Sequence, residues 1–243
     1  MFEEILLLSG NDLPFFSAQT VVRQPSIKDI SLIGEEKFFI ACQLLTFSKD
    51  HLSEEDKLSL ENMNDFEILM SIIETENSFE QKIIISMLLA LLFPDYTINF
   101  EEGKIAFKKE EESFIIDKDS FSEFKEILEQ MFQLKGSSKE EFNPKNEAAR
   151  RIAEKIKAGR EKIAKMKEQE EGHKISVLSR YVSILGIGLN LDLKVVLDYT
   201  IYQLYDQMKR FQLFQAFDMN IKAKLAGATD LDDAENWMDD IYK

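Results

Sequence analysis

The chain has 243 residues, 44% of them hydrophobic, which is enough for one large core or two small ones and too apolar for a disordered polymer. Its 45 Asp+Glu against 30 Lys+Arg give a formal net charge of −15, which argues against general affinity for nucleic acid or for an anionic membrane surface. The charge is uneven: residues 1–143 carry 13 Lys+Arg against 29 Asp+Glu and residues 144–243 carry 17 against 16, a pattern expected of two bodies with different electrostatic character.

The start, MFEEILLLSGN, has acids where a signal peptide needs bases, and its apolar run is short. Gly10-Asn11-Asp12 and Pro14 break any helix there, and Thr20 to Arg23 reads as a short strand closed by Gln24-Pro25. Ser26 suits the N-cap of a helix ending near Gly34. Glu35 to Phe47 is helical by composition, with Phe38, Phe39, Leu44 and Leu45 toward the core. It contains Cys42, the only cysteine, so an internal disulfide is excluded and a reducing compartment fits. Ser53 to Glu74 places Leu58, Phe66, Leu69, Met70 and Ile73 inside. Phe79 to Phe93 is the central helix of this half, stopped by Pro94. Its most apolar part, Ile83 to Phe93, is about half the length needed to cross a bilayer and reads as a buried helix.

The period then changes. Tyr96 to Phe100 and Lys104 to Lys108, joined through Gly103, predict a hairpin, and Ser113 to Ile116 offers a third strand. A helix from Ser120 to Leu134 follows, with Phe121, Phe124, Ile127, Leu128 and Met131 on one face. The stretch 136–143 is the linker.

Asn143-Pro144 opens the one basic run, with proline at the first helical position. Ala149, Ile152, Ile156, Gly159, Ile163 and Met166 alternate steps of three and four, a heptad stripe with a hole at Gly159, while Glu147, Glu154, Glu161 and Glu168 recur every seven residues opposite it. Arg150, Arg151, Lys155, Arg160, Lys162 and Lys167 make the segment basic, so an acidic partner surface is preferred over a second copy. Three occupants are open: the chain's own acidic half, another protein, or nucleic acid, the last disfavoured by the interspersed glutamates.

Gly172-His173 ends that run. Ile175 to Ile187 predicts a helix with Val177, Leu178, Tyr181, Ile184 and Leu185 on its apolar side. Asn190 is placed as the cap of one long helix from Leu191 to about Phe217, with Leu193, Val196, Leu197, Thr200, Leu204 and Met208 facing the core. Tyr199, Tyr202, Tyr205, Phe211, Phe214 and Phe217 add aromatic bulk, read first as core and second as a surface gripping a partner's apolar helices. A short acidic helix around Trp237 closes the chain. The expected fold is α+β and predominantly α-helical: an acidic half with a small antiparallel β-meander (1–135), a linker (136–143), a basic connecting helix (144–171) and an all-α C-terminal half (172–243).

Catalytic signatures are sparse. His51 and His173 with one cysteine cannot supply the usual structural zinc sets. Cys42 lies in an apolar helical run, which favours an inert buried thiol over a nucleophile. Asp230, Asp232 and Asp233 lack the glycine of a calcium loop, and Gly186-Ile187-Gly188 lacks the third glycine and preceding strand of a dinucleotide site. The expectation is a non-enzymatic protein with no cofactor, no bound metal and no membrane contact.

Three stretches carry a resemblance together: Gln24 to Ile30 with Ile33 to Phe38; Asn143-Pro144 with Ala153 to Lys157; and Tyr199 to Asp206, Lys222 to Ala228 and Glu235 to Met238. In this order they resemble small acidic proteins encoded among the tail and baseplate genes of tailed bacteriophages, described as tail-assembly or baseplate-hub assembly proteins. The resemblance implies a binding role in the host cytoplasm during assembly, with a tape-measure, tube or baseplate-hub protein as partner and self-association left open. Residence in the virion as a structural subunit is the alternative. The residues expected to meet a partner are Arg150, Arg151, Ile152, Lys155, Ile156, Arg160 and Ile163 of the basic segment, and Tyr199, Tyr202, Tyr205, Phe211, Phe214 and Trp237.

Overall fold

A computed structural model describes residues 2–49, 63–74, 79–134, 176–227 and 237–238. The fold is α+β and dominated by helix. In chain order the described elements are α1 (Glu4–Ser9), β1 (Leu13–Phe15), β2 (Thr20–Val22), α2 (Ile27–Ile33), α3 (Glu35–Leu45), α4 (Asp65–Glu74), α5 (Phe79–Leu92), β3 (Thr97–Glu101), β4 (Lys104–Lys109), β5 (Glu112–Ile116), α6 (Phe121–Met131), α7 (Val177–Gly188), α8 (Leu193–Leu197) and α9 (Ile201–Leu225).

Local signals explain most boundaries. Ser26 starts α2 through a reciprocal capping box: its hydroxyl accepts from the Asp29 amide at 3.1 Å and the Asp29 carboxylate accepts from the Ser26 amide at 3.0 Å. Pro94 follows α5, which buries Ile84, Ile85, Leu88, Leu89 and Leu92 and packs along α3. The three-stranded meander has the order β3-β4-β5, with Ile98 opposite Phe107 and Phe107 opposite Phe114. Period-two alternation sends Ile105 and Phe107 inward.

Phenylalanine rings tie the meander to the helices. Phe107 stacks on Phe114 at 4.5 Å between centroids, and Phe93 lies 4.8 Å from Phe107 and 6.0 Å from Phe124 of α6. Phe15 of β1 reaches Phe124 at 5.7 Å, and Phe38 of α3 meets Phe132 edge-on at 4.9 Å. On α3 the buried residues are Phe38, Ala41, Cys42 and Leu45, so Phe39 and Leu44, expected inside, sit at its margin.

Two sequence expectations are corrected. The stretch after Gly10 is not only a breaker region: Leu13–Phe15 pairs antiparallel with Thr20–Val22. Glu123 of α6 holds that hairpin's turn, its carboxylate accepting from the Phe16 and Ser17 amides at 2.9 Å each and from the Ser17 hydroxyl. The long helix from Leu191 is in fact two. Asp192, not Asn190, caps α8, and Asn190 adopts a left-handed φ of 54° that closes the turn after α7. The chain then bends at Asp198–Thr200 and restarts. Thr200 accepts from the Gln203 amide at 3.3 Å and Gln203 accepts from the Thr200 amide at 2.8 Å, a second capping box. Leu193 and Val177, expected in the core, are exposed. The basic run 144–171, Leu58, the linker, both histidines and Asp230 to Asp233 lie outside the described residues.

Leu178, Val182, Leu185, Val196, Ile201, Leu204 and Met208 of the C-terminal helices join the same continuous buried cluster as Phe38, Leu88 and Phe124. Polar contacts pin the junction. The Ile27 amide donates to the Tyr199 carbonyl at 2.8 Å, and Gln203 Nε2 donates to the Leu8 carbonyl at 2.7 Å. The Glu35 carboxylate accepts from the Val177 amide at 2.9 Å and from the Ser176 hydroxyl, placing negative charge at the start of α7, where unpaired amides and the helix dipole favour it.

Candidate interaction surface

The aromatic series on α9 divides into two groups. Tyr202 is buried, and Tyr199 and Tyr205 pack against the core. Tyr205 meets Tyr181 of α7 edge-on at 5.9 Å, and burial, with lesser contributions from Tyr181, Glu35 and Cys42, pushes its hydroxyl up to about 12. These three tyrosines, read first as core and second as a partner surface, build the internal junction. Burial likewise raises the Cys42 thiol well above the ordinary range, which disfavours its thiolate form.

The second group begins at Phe211. Its ring covers Gly188 at the end of α7, where a Cβ would sit 2.4 Å from the ring's Cζ. A Cβ on Gly186 would meet Leu193 Cδ2 at 2.6 Å. The two glycines that failed as a nucleotide-binding signature instead let α8 and α9 approach α7 closely. Beyond Phe211, Phe214 is exposed and contacts Trp237 edge-on at 5.5 Å, and Arg210 Nη1 donates to the Trp237 carbonyl at 3.4 Å. The Arg210 guanidinium is also held by the buried Asp206 at 3.4 Å. Of the expected partner residues, Arg150, Arg151, Ile152, Lys155, Ile156, Arg160 and Ile163 lie outside the described residues, Phe211 packs over Gly188, and Phe214 of α9 meets Trp237.

Helical geometry explains why α9 changes character along its length. At roughly 100° per residue, the buried Ile201, Tyr202, Leu204, Asp206 and Met208 share one side, turned to the protein body. Continuing that seam past Met208 gives Gln212, Gln215, Met219 and Lys222, which cannot extend a core. Phe214, Phe217, Ile221 and Leu225 line up on the opposite side instead, with Ile221 exposed and Leu225 at 82% exposure. The apolar positions have shifted by about half a turn around the helix; Phe214, Ile221 and Leu225 are exposed and Phe217 is half-buried.

A neighbouring apolar knuckle was missed by sequence reasoning. Around the α7–α8 turn, Ile187 (85% exposed), Leu189, Leu193 and Val195 all face outward. The signal was present as period-two alternation through Gly186 to Val195, masked by the helical reading of the flanks. Isolated exposed apolar residues are ordinary, but here four fall within nine positions of the chain.

Among the described residues no cluster of His, Cys, Asp and Glu side chains could hold a metal ion, and no helix is long and apolar enough to cross a membrane. No curated protein and no solved structure matches the chain. Residues 167–242, the stretch that carries α7, α8, α9 and the knuckle, are similar to a family model described as the YomV second domain, a phage-derived family, and this similarity points to a phage context for the chain.

Proposed function

We propose that this protein is a non-enzymatic bacteriophage morphogenesis factor that binds a tail component and keeps it competent for assembly. The observation that carries this reading is the set of exposed apolar side chains on the α7–α8 knuckle and the later turns of α9, lying within the stretch 167–242 that is similar to the phage family model. A strongly acidic chain displaying a confined apolar helical surface suits a role in which an aggregation-prone partner, such as a tape-measure, tube or baseplate-hub protein, is held in solution until it is used. The binding is stoichiometric and involves no covalent step.

Co-expression of the tagged chain with each tail and baseplate protein of its phage tests the proposal. One of them is expected to become soluble and to be retained on the tag. Retention of none refutes the reading. Mass spectrometry of purified particles separates it from a structural subunit of the baseplate or head–tail region: an assembly factor is absent from the particle, and a subunit is present at fixed copy number.

A further inference from the structure

We propose that the open edge of β5 is a docking site for an extended, basic segment of another protein, which joins the meander as a further strand; the inference is independent of the assembly role above. Lys109 and Glu112 flank the tight turn at Glu110-Glu111, in which Glu110 takes a left-handed φ of 47°. In such a hairpin the flanking residues form a hydrogen-bonded pair, and bonded and non-bonded pairs alternate from there. Glu112, Phe114 and Ile116 therefore bond to β4, opposite Lys109, Phe107 and Ile105, while Ser113 and Ile115 aim their amides and carbonyls away from the sheet. Both residues are exposed, and no described residue bonds to those backbone groups.

The opposite edge of the sheet is less open. β3 packs against α5, and Ile98 and Phe100, whose backbone groups face outward by the same alternation, are half-buried, with the Lys82 ammonium 5.2 Å from the centroid of the Phe100 ring. At β5 the free donors and acceptors lie along the ladder direction, so they select an extended backbone over a helix. Alternate side chains of the incoming strand fall beside Ile115 on one face. On the other they fall beside Phe114, a half-buried ring stacked on Phe107 at 4.5 Å.

Charge selects the sequence of that strand. Residues 110–119 carry five acids against the single cation Lys118. The Glu112 carboxylate accepts from the Tyr96 hydroxyl at 3.0 Å, and the Asp117 carboxylate accepts from the Ser120 amide at 3.0 Å. Glu110, Glu111 and Asp119 are exposed, and their carboxylates make no ion pair with a described residue. An antiparallel second copy sets Glu110, Glu111 and Glu112 beside the other copy's Asp117 and Asp119, with only Lys118 to offset them. The edge is therefore guarded against pairing with itself. Lysine or arginine at both ends of a partner strand turns the same carboxylates into attraction.

The test uses the full chain and fluorescein-labelled peptides of about nine residues, ~30 Å when extended, with alternating threonine and valine at the centre. One carries lysines at both ends and its twin carries glutamates; a third repeats the lysine peptide with N-methyl groups on its central amides. The lysine peptide is expected to bind at least about tenfold more tightly than either comparison peptide and to weaken as salt rises. Hydrogen exchange at the Ser113 and Ile115 amides is expected to be fast in the free chain and slow in the complex. Ile115→Pro deletes an outward N–H without taking a bond from β4, and is expected to lower the affinity about tenfold or more while leaving the thermal transition in place. Equal binding of the lysine peptide and either comparison peptide, no binding, or indifference to Ile115→Pro overturns the proposal. So does protection of the Ser113 and Ile115 amides in the free chain: at all concentrations it means that another part of the chain covers the edge, and rising with concentration it means that a second copy does.

Discussion

Leu204→Ala is the sharpest test of the shared core. Leu204 has no exposed surface and sits on the inner side of α9, where that helix packs against α1 and α7. Removing its branched end leaves a void that helices pinned by the Gln203–Leu8 and Ile27–Tyr199 hydrogen bonds cannot easily collapse, so the cost belongs in the ~3–5 kcal/mol range for rigid sites. For a chain of this size each kcal/mol lowers the melting temperature by roughly 2–4 °C, giving a fall of about 6–20 °C. Differential scanning calorimetry reads the size of the effect, and hydrogen exchange reads where it falls. Because Leu204 and Leu88 belong to one buried cluster, amides of α5 are expected to lose protection together with those of α9. If α9 opens while Ile84 to Leu92 stay protected, the two halves are independent bodies and the argument for a common core is wrong. Leu225→Ala, at an exposed position, is the control and should change stability by no more than about 0.5 kcal/mol.

Thr200→Ala removes the cap of α9 and should cost about 1 kcal/mol, read as a lower urea midpoint with an unchanged slope. Asp65, Asp117 and Glu123 all have carboxyls held below the usual range. Burial opposes ionisation of Asp65, but Lys125 at 2.8 Å outweighs it; burial likewise opposes Glu123, against the Ser17 and Phe16 donors; for Asp117 the Ser120 amide leads. Depressed folded values mean stability that is fully present above the unfolded carboxylate pKa of ~4 and lost as pH falls through the folded values, so urea midpoints should drop steeply below about pH 4. Tyr205 has the opposite sign: with its hydroxyl pushed up to about 12, its contribution is complete below the unfolded value of ~10 and is lost as pH rises toward 12. Absorbance at about 295 nm should show late tyrosine ionisation, and Tyr205→Phe should reduce its amplitude by one tyrosine, the remainder including Tyr96, which burial and the Glu112 carboxylate also raise. Cys42 should react with a thiol reagent only as fast as the protein opens, and at once in denaturant.

Much of the architecture was legible because it rests on local periodicity. The alternation through β4, the single apolar face of α6 and the continuous run of α5 each permit one burial pattern. Of the β1–β2 hairpin only β2 was legible, as the short strand Thr20 to Arg23; β1, three residues with Pro14 among them, carries little signal of its own. The turn between them is held by Glu123, more than a hundred residues away. The break at Thr200 was written in the sequence as a Thr-x-x-Gln box but lay inside a run whose apolar spacing continues across it, and the spacing dominated. At the candidate site the ambiguity was chemical. Tyrosine and phenylalanine serve cores and interfaces equally well, so only the packing of α7 on α9 separates Tyr202 and Tyr205, turned inward, from Phe214, turned outward.

That division of α9 has an energetic consequence for its outer turns. An isolated helix as short as Lys209 to Leu225 is marginal in water, because nucleation is costly and only propagation is favourable. Here nucleation is supplied by the first two turns, capped by Thr200 and Gln203 and locked into the core through Ile201, Leu204 and Met208. The outer turns extend from a helix that already exists, supported by the Asp218–Lys222 ion pair at 2.5 Å. The helical conformation of Phe214 to Leu225 is therefore set by folding of the buried turns rather than by the propensity of the outer ones. Substitutions that weaken the buried half of α9, such as Leu204→Ala or Thr200→Ala, should accordingly lower hydrogen-exchange protection in the outer turns as well, although neither residue lies there.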